Sequence, residues 1–168
     1  MILKRLWPLL LVLLALDFAT KKIALSAIPH IQWNEPYPFG GIPIFSHIFS
    51  LGISCSLNAA FNTGAAWGMF PGHSGLLFSI RILVIAALLV YLIKKRDAKF
   101  SLWLIATGAI GNAIDYSLYG FVVDFIHLNF WGYTFPIFNV ADSLISIGAV
   151  WLFLTPKKNE NPHLQPTK

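Results

Sequence analysis

One cysteine, Cys55, stands in the 168 residues, and with no second thiol an intramolecular disulfide, a zinc-thiolate cluster or a thiol relay is excluded. Charge is scarce too: Asp, Glu, Lys and Arg make up 11% of the chain against 57% apolar residues, and the mean hydropathy is +0.68. A soluble core of this size cannot absorb so much apolar surface, so the chain belongs in lipid as one domain, residues 1–156 followed by a basic tail, 157–168. Acids are the rarest charges, 7 against 12 Lys and Arg, for a net charge of +5. That excess could suit nucleic acid, but its placement argues against it.

Four apolar stretches, about 6–28, 76–93, 100–120 and 135–154, approach the roughly 20 helical residues that cross a hydrocarbon layer. In lipid the backbone must satisfy its own hydrogen bonds, so helices are expected and the fold class is an all-α membrane protein of four transmembrane helices. Lys4 and Arg5 precede the first stretch, Lys94, Lys95, Arg96 and Lys99 fill the link between the second and third, and Lys157, Lys158 and Lys168 follow the fourth. The positive-inside rule makes all three cytoplasmic, so both termini are inside and 29–75 and 121–134 lie outside. Lys4, Arg5 and the run 6–16 also resemble the start of a cleavable secretory signal. Asp17, Lys21 and Lys22 fall where small residues are wanted for cleavage, so the segment is expected to stay.

The long outer segment alternates Phe49, Leu51, Ile53, Cys55, Leu57 against Ser50, Gly52, Ser54, Ser56, Asn58, the period of a half-buried strand. With Pro29, Pro36, Pro38, Gly40, Gly41 and Pro43 around it, a small antiparallel sheet at about 30–62, between the first two helices, is expected. Cys55 reads as a small buried residue. Trp33, Tyr37, Phe39, Phe45 and Phe49 read as anchors at the lipid interface.

Ionisable residues that lipid should exclude carry the functional signal. Asp17 and Lys21, spaced i, i+4 with the acid first, read as a structural salt bridge. Asn112 and Asp115 form N-x-x-D on the third helix, Asn139 and Asp142 repeat it at the start of the fourth, and Asp124 stands between them. A short outer turn over 120–134 would bring Asp115, Asp124 and Asp142 to one depth. Two carboxylates a few ångström apart in low dielectric cannot both stay ionised, so one keeps a proton while the other acts as base, the requirement for activating water against a peptide bond. Spacing does not choose which two of the three acids pair.

Other chemistries lack their parts. No G-x-S-x-G elbow supports a serine nucleophile, and no H-E-x-x-H supports a metal. His30, His47, His73 and His163 are scattered. His127, three residues after Asp124, is the one candidate ligand and reads more simply as a hydrogen-bonding histidine. Neither metal nor cofactor is expected.

Five landmarks then appear in order: Asp17-Phe-Ala-Thr-Lys21; Asn62-Thr-Gly64-Ala-Ala66; Gly108-x-x-Gly111-Asn112-x-x-Asp115; Val123-Asp124-Phe125; and Phe138-Asn139-Val-Ala141-Asp142-Ser143. In this order the chain resembles the lipoprotein signal peptidases, the type II signal peptidases of bacteria. The resemblance implies a zinc-free aspartyl endopeptidase of the inner membrane, with its site at the exoplasmic face. Such an enzyme cleaves prolipoproteins just before the diacylglyceryl-modified cysteine and is inhibited by globomycin. It implies Asp124 and Asp142 as the catalytic pair, with Asn62, Gly64, Asn112, Asp115, Asn139 and Ala141 binding or supporting substrate. Membrane lipid and prolipoprotein are the expected partners, nucleic acid is not, and a monomer is expected.

One departure stands out. Where the family's third-helix motif ends Asp-Arg, this chain reads Asp115-Tyr116, so Asp115 loses its adjacent cation and either holds its proton more tightly or finds another base, for which Arg81 is the candidate. Trp67 replaces the usual phenylalanine after Gly-Ala-Ala. Buried acids with a Lys and an Arg could also serve a small proton-coupled carrier or a structural subunit. The acids crowd one surface, however, and no inverted repeat is present.

Overall fold

A computed structural model describes residues 3–48, 52–63, 74–95 and 99–155. The chain order is α1 (Leu3–Ala27), β1 (Ile42–Ile48), β2 (Ile53–Asn62), α2 (Ser74–Lys94), α3 (Phe100–Tyr119), β3 (Val122–Phe130), β4 (Tyr133–Thr134) and α4 (Val140–Leu154). Among the described residues these make four helices and one antiparallel sheet of order β1-β2-β3-β4. Gly64, Ala66, Trp67, Arg96 and the basic tail fall outside the described residues.

The molecule is turned inside out relative to a soluble bundle. Val12, Leu83, Val84, Phe153 and Leu154 are exposed on the helices, Phe153 by 87%, while Asp17, Lys21 and Asp115 are each only 1% exposed. Apolar residues outside and charges inside is the arrangement that lipid selects. By length and composition, one described helix, Gly75–Lys94, is apolar enough to cross a membrane, and Val140–Leu154 is a shorter apolar helix. The expectation of four such spans is therefore met in composition by α2 alone. In α1 and α3 the buried charged and amide groups dilute the apolar content, and α4 is shortened at its start.

That shortening belongs to a larger correction. The stretch 120–134, expected as a short turn, instead forms β3 and β4, half of the sheet, so the sheet is not confined to the segment between the first two helices. Gly120 ends α3 in the left-handed region (φ 78°), its N–H donating to the Tyr116 carbonyl at 2.9 Å, and the chain turns directly into β3. Residues 135–139, expected as helix, run back along β3: the Ile126 and Phe138 N–H groups each donate to the other's carbonyl, at 2.8 and 3.0 Å. Helix α4 can then begin only at Val140, and its first turn is delivered beside Asp124.

Both rows of β2 are covered. Cys55 is buried as expected, but Ser54, Ser56 and Asn58, the row read as solvent-facing, are buried too. Sequence alternation identified the strand but assigned its polar row to water. A strap of residues 31–41 lies over that row, and Tyr37 and Phe39, expected as lipid anchors, turn inward with it.

Helices α3 and α4 make the tightest helix pair because glycines let their backbones touch. A Cβ added at Gly108 would collide with the Ala141 carbonyl oxygen, and one at Gly148 would come 2.7 Å from the Ser101 carbonyl oxygen. Leu10, Leu104 and Leu144 then knit α1, α3 and α4 together. Gly108→Ala or Gly148→Ala should each lower stability by about 1–3 kcal/mol through overpacking. Gly75→Ala, where a Cβ meets nothing within 4 Å, should stay within about 0.5 kcal/mol of the parent. Thermal unfolding in detergent measures the three, and equal midpoints would contradict this packing.

Candidate active site

Asp124 comes from β3, 3% exposed, and Asp142 from the first turn of α4, half-buried. A capping box defines the start of α4. The Asn139 Oδ1 accepts from the Asp142 N–H at 2.8 Å, and the Asp142 Oδ2 accepts from the Asn139 N–H at 3.2 Å. The sequence Asn139-Val-Ala-Asp142 is thus a helix start signal as well as a site motif.

Asn139 also joins the two acids. Its Nδ2 donates to the Asp124 Oδ1 at 2.7 Å and to the Asn112 Oδ1 at 3.1 Å. Asn112 in turn donates from Nδ2 to the Asp142 Oδ1 at 2.7 Å, and Asn62 donates to the Asp124 Oδ2 at 3.2 Å. Each carboxylate therefore keeps its geometry through neutral carboxamides, which orient without adding charge. Burial, and then the neighbouring Asp142 carboxylate, push the Asp124 carboxyl up to about 7, against the weaker pull of the Asn62 and Asn139 hydrogen bonds. Near neutral pH this pair holds one proton.

Beneath it lies a buried cation. The Lys21 Nζ meets the Asp17 Oδ2 at 2.8 Å, the Asp115 Oδ2 at 3.0 Å and the Asn112 Oδ1 at 2.9 Å, one acceptor for each of its three N–H bonds. The two carboxylates then reach outward in the same way. The Asp115 Oδ2 accepts the N–H of Val123, the residue before Asp124, at 3.1 Å; the Asp17 Oδ1 accepts the N–H of Ala141, the residue before Asp142, at 2.8 Å. Lys21 thereby fixes the backbone at both acids.

A family model described as Signal peptidase (SPase) II matches residues 9–156. The chain belongs to the type II signal peptidase family. It is 37% identical over 151 residues to the lipoprotein signal peptidase of Chlamydia pneumoniae, covering 85% of this chain and 86% of that protein. To the lipoprotein signal peptidase of Staphylococcus haemolyticus it is 42% identical over 106 residues, 60% of this chain and 66% of that protein. Two solved bacterial membrane enzymes share the fold at 31% identity: one has a TM-score of 0.70, covering 95% of this chain and 92% of that one, and the other 0.67, covering 89% and 90%.

Of the family landmarks, Asp17, Lys21, Asn62, Asn112, Asp115, Asp124, Asn139, Ala141 and Asp142 form one connected network, and Gly64 lies outside the described residues. Ala141 is fully buried, and a Cβ on Gly111 would come within 3.3 Å of its methyl and 2.6 Å of the Asp17 Oδ2, so both positions must stay small. The Asp17–Lys21 pair forms as expected but is only part of a larger cluster. The cation beside Asp115 is Lys21 of α1, where the sequence had suggested Arg81, and Tyr116 instead stacks on Phe78 at 4.6 Å. One signal could have found this: a buried ammonium with three donors is poorly satisfied by one carboxylate. Among the described residues no group of three or more His, Cys, Asp or Glu side chains is arranged to hold a metal.

Lys21→Met removes the cation and leaves Asp17 and Asp115 buried together, which should cost about 3–5 kcal/mol. Asp17→Asn keeps an acceptor for the Ala141 N–H and should cost less. Denaturation in detergent ranks the two; a Lys21→Met variant as stable as the parent would contradict the central place given to Lys21.

Proposed function

We propose that Asp124 and Asp142 are the catalytic pair with which this membrane aspartyl protease removes signal peptides from prolipoproteins. The observation that carries the assignment is Asn139. Directly through its side chain and backbone it holds both acids in one constellation, which Asp115, committed to Lys21 and the Val123 N–H, does not join as a free carboxylate.

The chemistry follows from the unequal surroundings. Asp124, deeply desolvated, keeps the shared proton and donates a hydrogen bond to the scissile carbonyl. Asp142, half-buried at the positive end of α4, takes a proton from the attacking water. As the tetrahedral intermediate collapses, a carboxyl returns a proton to the leaving amine, and the pair regains its starting state. Asn62, Asn112 and Ala141 complete the wall on which substrate is aligned. Gly64 is assigned to the same wall by its motif.

The substrate is a prolipoprotein cut just before its diacylglyceryl-modified cysteine, presented from the lipid beside the sheet. In this reading α1 to α4 all span the inner membrane as one domain, residues 1–156, and the chain acts as a monomer. Both termini and the 157–168 tail are cytoplasmic, and the acids face the exoplasmic side. Two features support the orientation: Lys94, Lys95 and Lys99 gather at the α2–α3 link, and the acids lie at the opposite end of α3, beside the sheet. The buried polar network accounts for the lower apolar content of α1 and α3, because its groups face one another and not the lipid.

Reconstituted with a lipidated prolipoprotein, Asp124→Asn and Asp142→Asn should each reduce cleavage by at least about 10³-fold while still inserting and unfolding cooperatively. Cleavage surviving both substitutions would exclude the pair. The pH profile is a second reading of the same site. With the Asp124 carboxyl near 7, kcat/KM should fall as pH rises past that value and the shared proton is lost. Asn62→Ala removes a hydrogen bond that favours the carboxylate, so the alkaline limb should move to higher pH. A limb that moved down, or did not move, would contradict the assignment of the proton to Asp124.

A further inference from the structure

His127 lies three residues beyond Asp124 on β3, an odd separation that turns it to the opposite face of the sheet. On that face α1 covers the near end, with Ala24 packed on Val123 and Phe125, and the strap 31–41 covers the rest. The imidazole is fully buried. It stacks on Phe39 of the strap (centroids 5.4 Å apart, 24° between planes), meets Trp33 edge-on at 6.0 Å and lies 5.6 Å from the Tyr37 ring. Across the strand pair it faces Ser56.

The polar contacts make this contact a fastening. The His127 Nδ1 lies 3.4 Å from the Asn58 Oδ1, which also accepts the Ser56 hydroxyl at 2.7 Å. The Asn58 Nδ2 donates into the strap, to the Pro38 carbonyl at 2.8 Å and the Phe39 carbonyl at 3.4 Å. The His127 Nε2 and the Tyr37 hydroxyl are buried with no hydrogen-bond partner. A neutral ring protonated at Nδ1 suits these surroundings: it donates to Asn58 and leaves at Nε2 only a bare lone pair. An imidazolium would carry a second N–H at Nε2, which no acceptor meets in this arrangement, and would bury a full charge with no carboxylate beside it.

We propose that His127 is a pH-responsive latch: in its neutral form it holds the 31–41 strap on the sheet, and its protonation releases the strap. The groups facing it are few. From the strap come the Tyr37 phenol, whose acidity burial weakens further, and Glu35, the strap's one carboxylate, which is exposed on the turn. From β2 come the neutral Ser54, Ser56 and Asn58; the Cys55 thiol belongs to the other row, as Asp124 does on β3. Among the described residues, no anion is therefore positioned to stabilise the imidazolium in the closed state. Burial holds His127 below the ordinary histidine value of 6.5 while the strap is closed. The open state therefore binds the proton more tightly, so closure is complete above about 6.5 and weakens as pH falls through that value.

Hydrogen exchange of the 31–41 amides, corrected for intrinsic chemistry and referenced to α3, tests the latch in detergent-solubilised protein. Strap protection is the better readout because turnover also registers Asp124. In the parent, protection of 31–41 should fall by up to about tenfold per pH unit between pH 6.5 and the closed-state value while α3 is unchanged. His127→Gln, neutral at every pH, should abolish the dependence, and Glu35→Gln should leave it intact. Parent protection that is flat between pH 7.5 and pH 5 would overturn the proposal without recourse to any variant. So would an undiminished dependence in His127→Gln, or its loss in Glu35→Gln.

Discussion

The structure depends on one buried cation. Lys21 carries a full charge into a membrane bundle, and three acceptors, Asp17, Asp115 and Asn112, take its three N–H bonds. Removing any one exposes the others to an environment that cannot solvate them, so the group persists only as a whole. Its members come from α1 and α3, and its two carboxylates reach the backbone of β3 and α4, Asp115 through the same Oδ2 that meets Lys21 and Asp17 through its other oxygen. Four elements, separated by as many as 124 residues in sequence, are thereby registered to one another at a single point.

The acid pair benefits from that registration in a specific way. Asp124 and Asp142 sit on unlike supports, a strand and a helix start, and each follows a residue whose N–H is held by a carboxylate of the Lys21 group. The carboxamides of Asn62, Asn112 and Asn139 then orient the side chains themselves. The result separates duties: the ion cluster fixes where the backbone lies, and neutral amides aim the acids without disturbing their charge. Asp115 resembles a third catalytic acid in sequence but serves the first duty. In the proposed mechanism this leaves the proton shared by Asp124 and Asp142 free for chemistry.

Much of this was legible because lipid makes polar residues informative. Asp17, Asn112, Asp115, Asp124, Asn139 and Asp142 each stand out in an apolar chain, and every one proved to belong to the network. What sequence could not supply was the partner of each. An i, i+4 spacing suggested that Lys21 serves Asp17, but the ammonium's unused valence is filled from a helix 91 residues away. Likewise, apolar content over 120–154 suggested a turn and a long helix. The run contains a nine-residue strand whose first four residues are all buried, and only its second half, Ile126-His127-Leu128-Asn129-Phe130, alternates apolar with polar residues, a period too short to outweigh the apolar content around it. The polar row of β2 was read as wet because periodicity reports which residues differ, not what covers them. The covering strap follows α1 by only a few residues.

The central claim is that two carboxyls share one proton near neutral pH, with Asp124 its main holder. Infrared titration of the protonated-carboxyl stretch in the membrane-embedded protein tests it most directly. A band that titrates at about pH 7 and is absent from Asp124→Asn is the predicted result. Full ionisation of both acids at pH 6, or a band unaltered in Asp124→Asn, would contradict it.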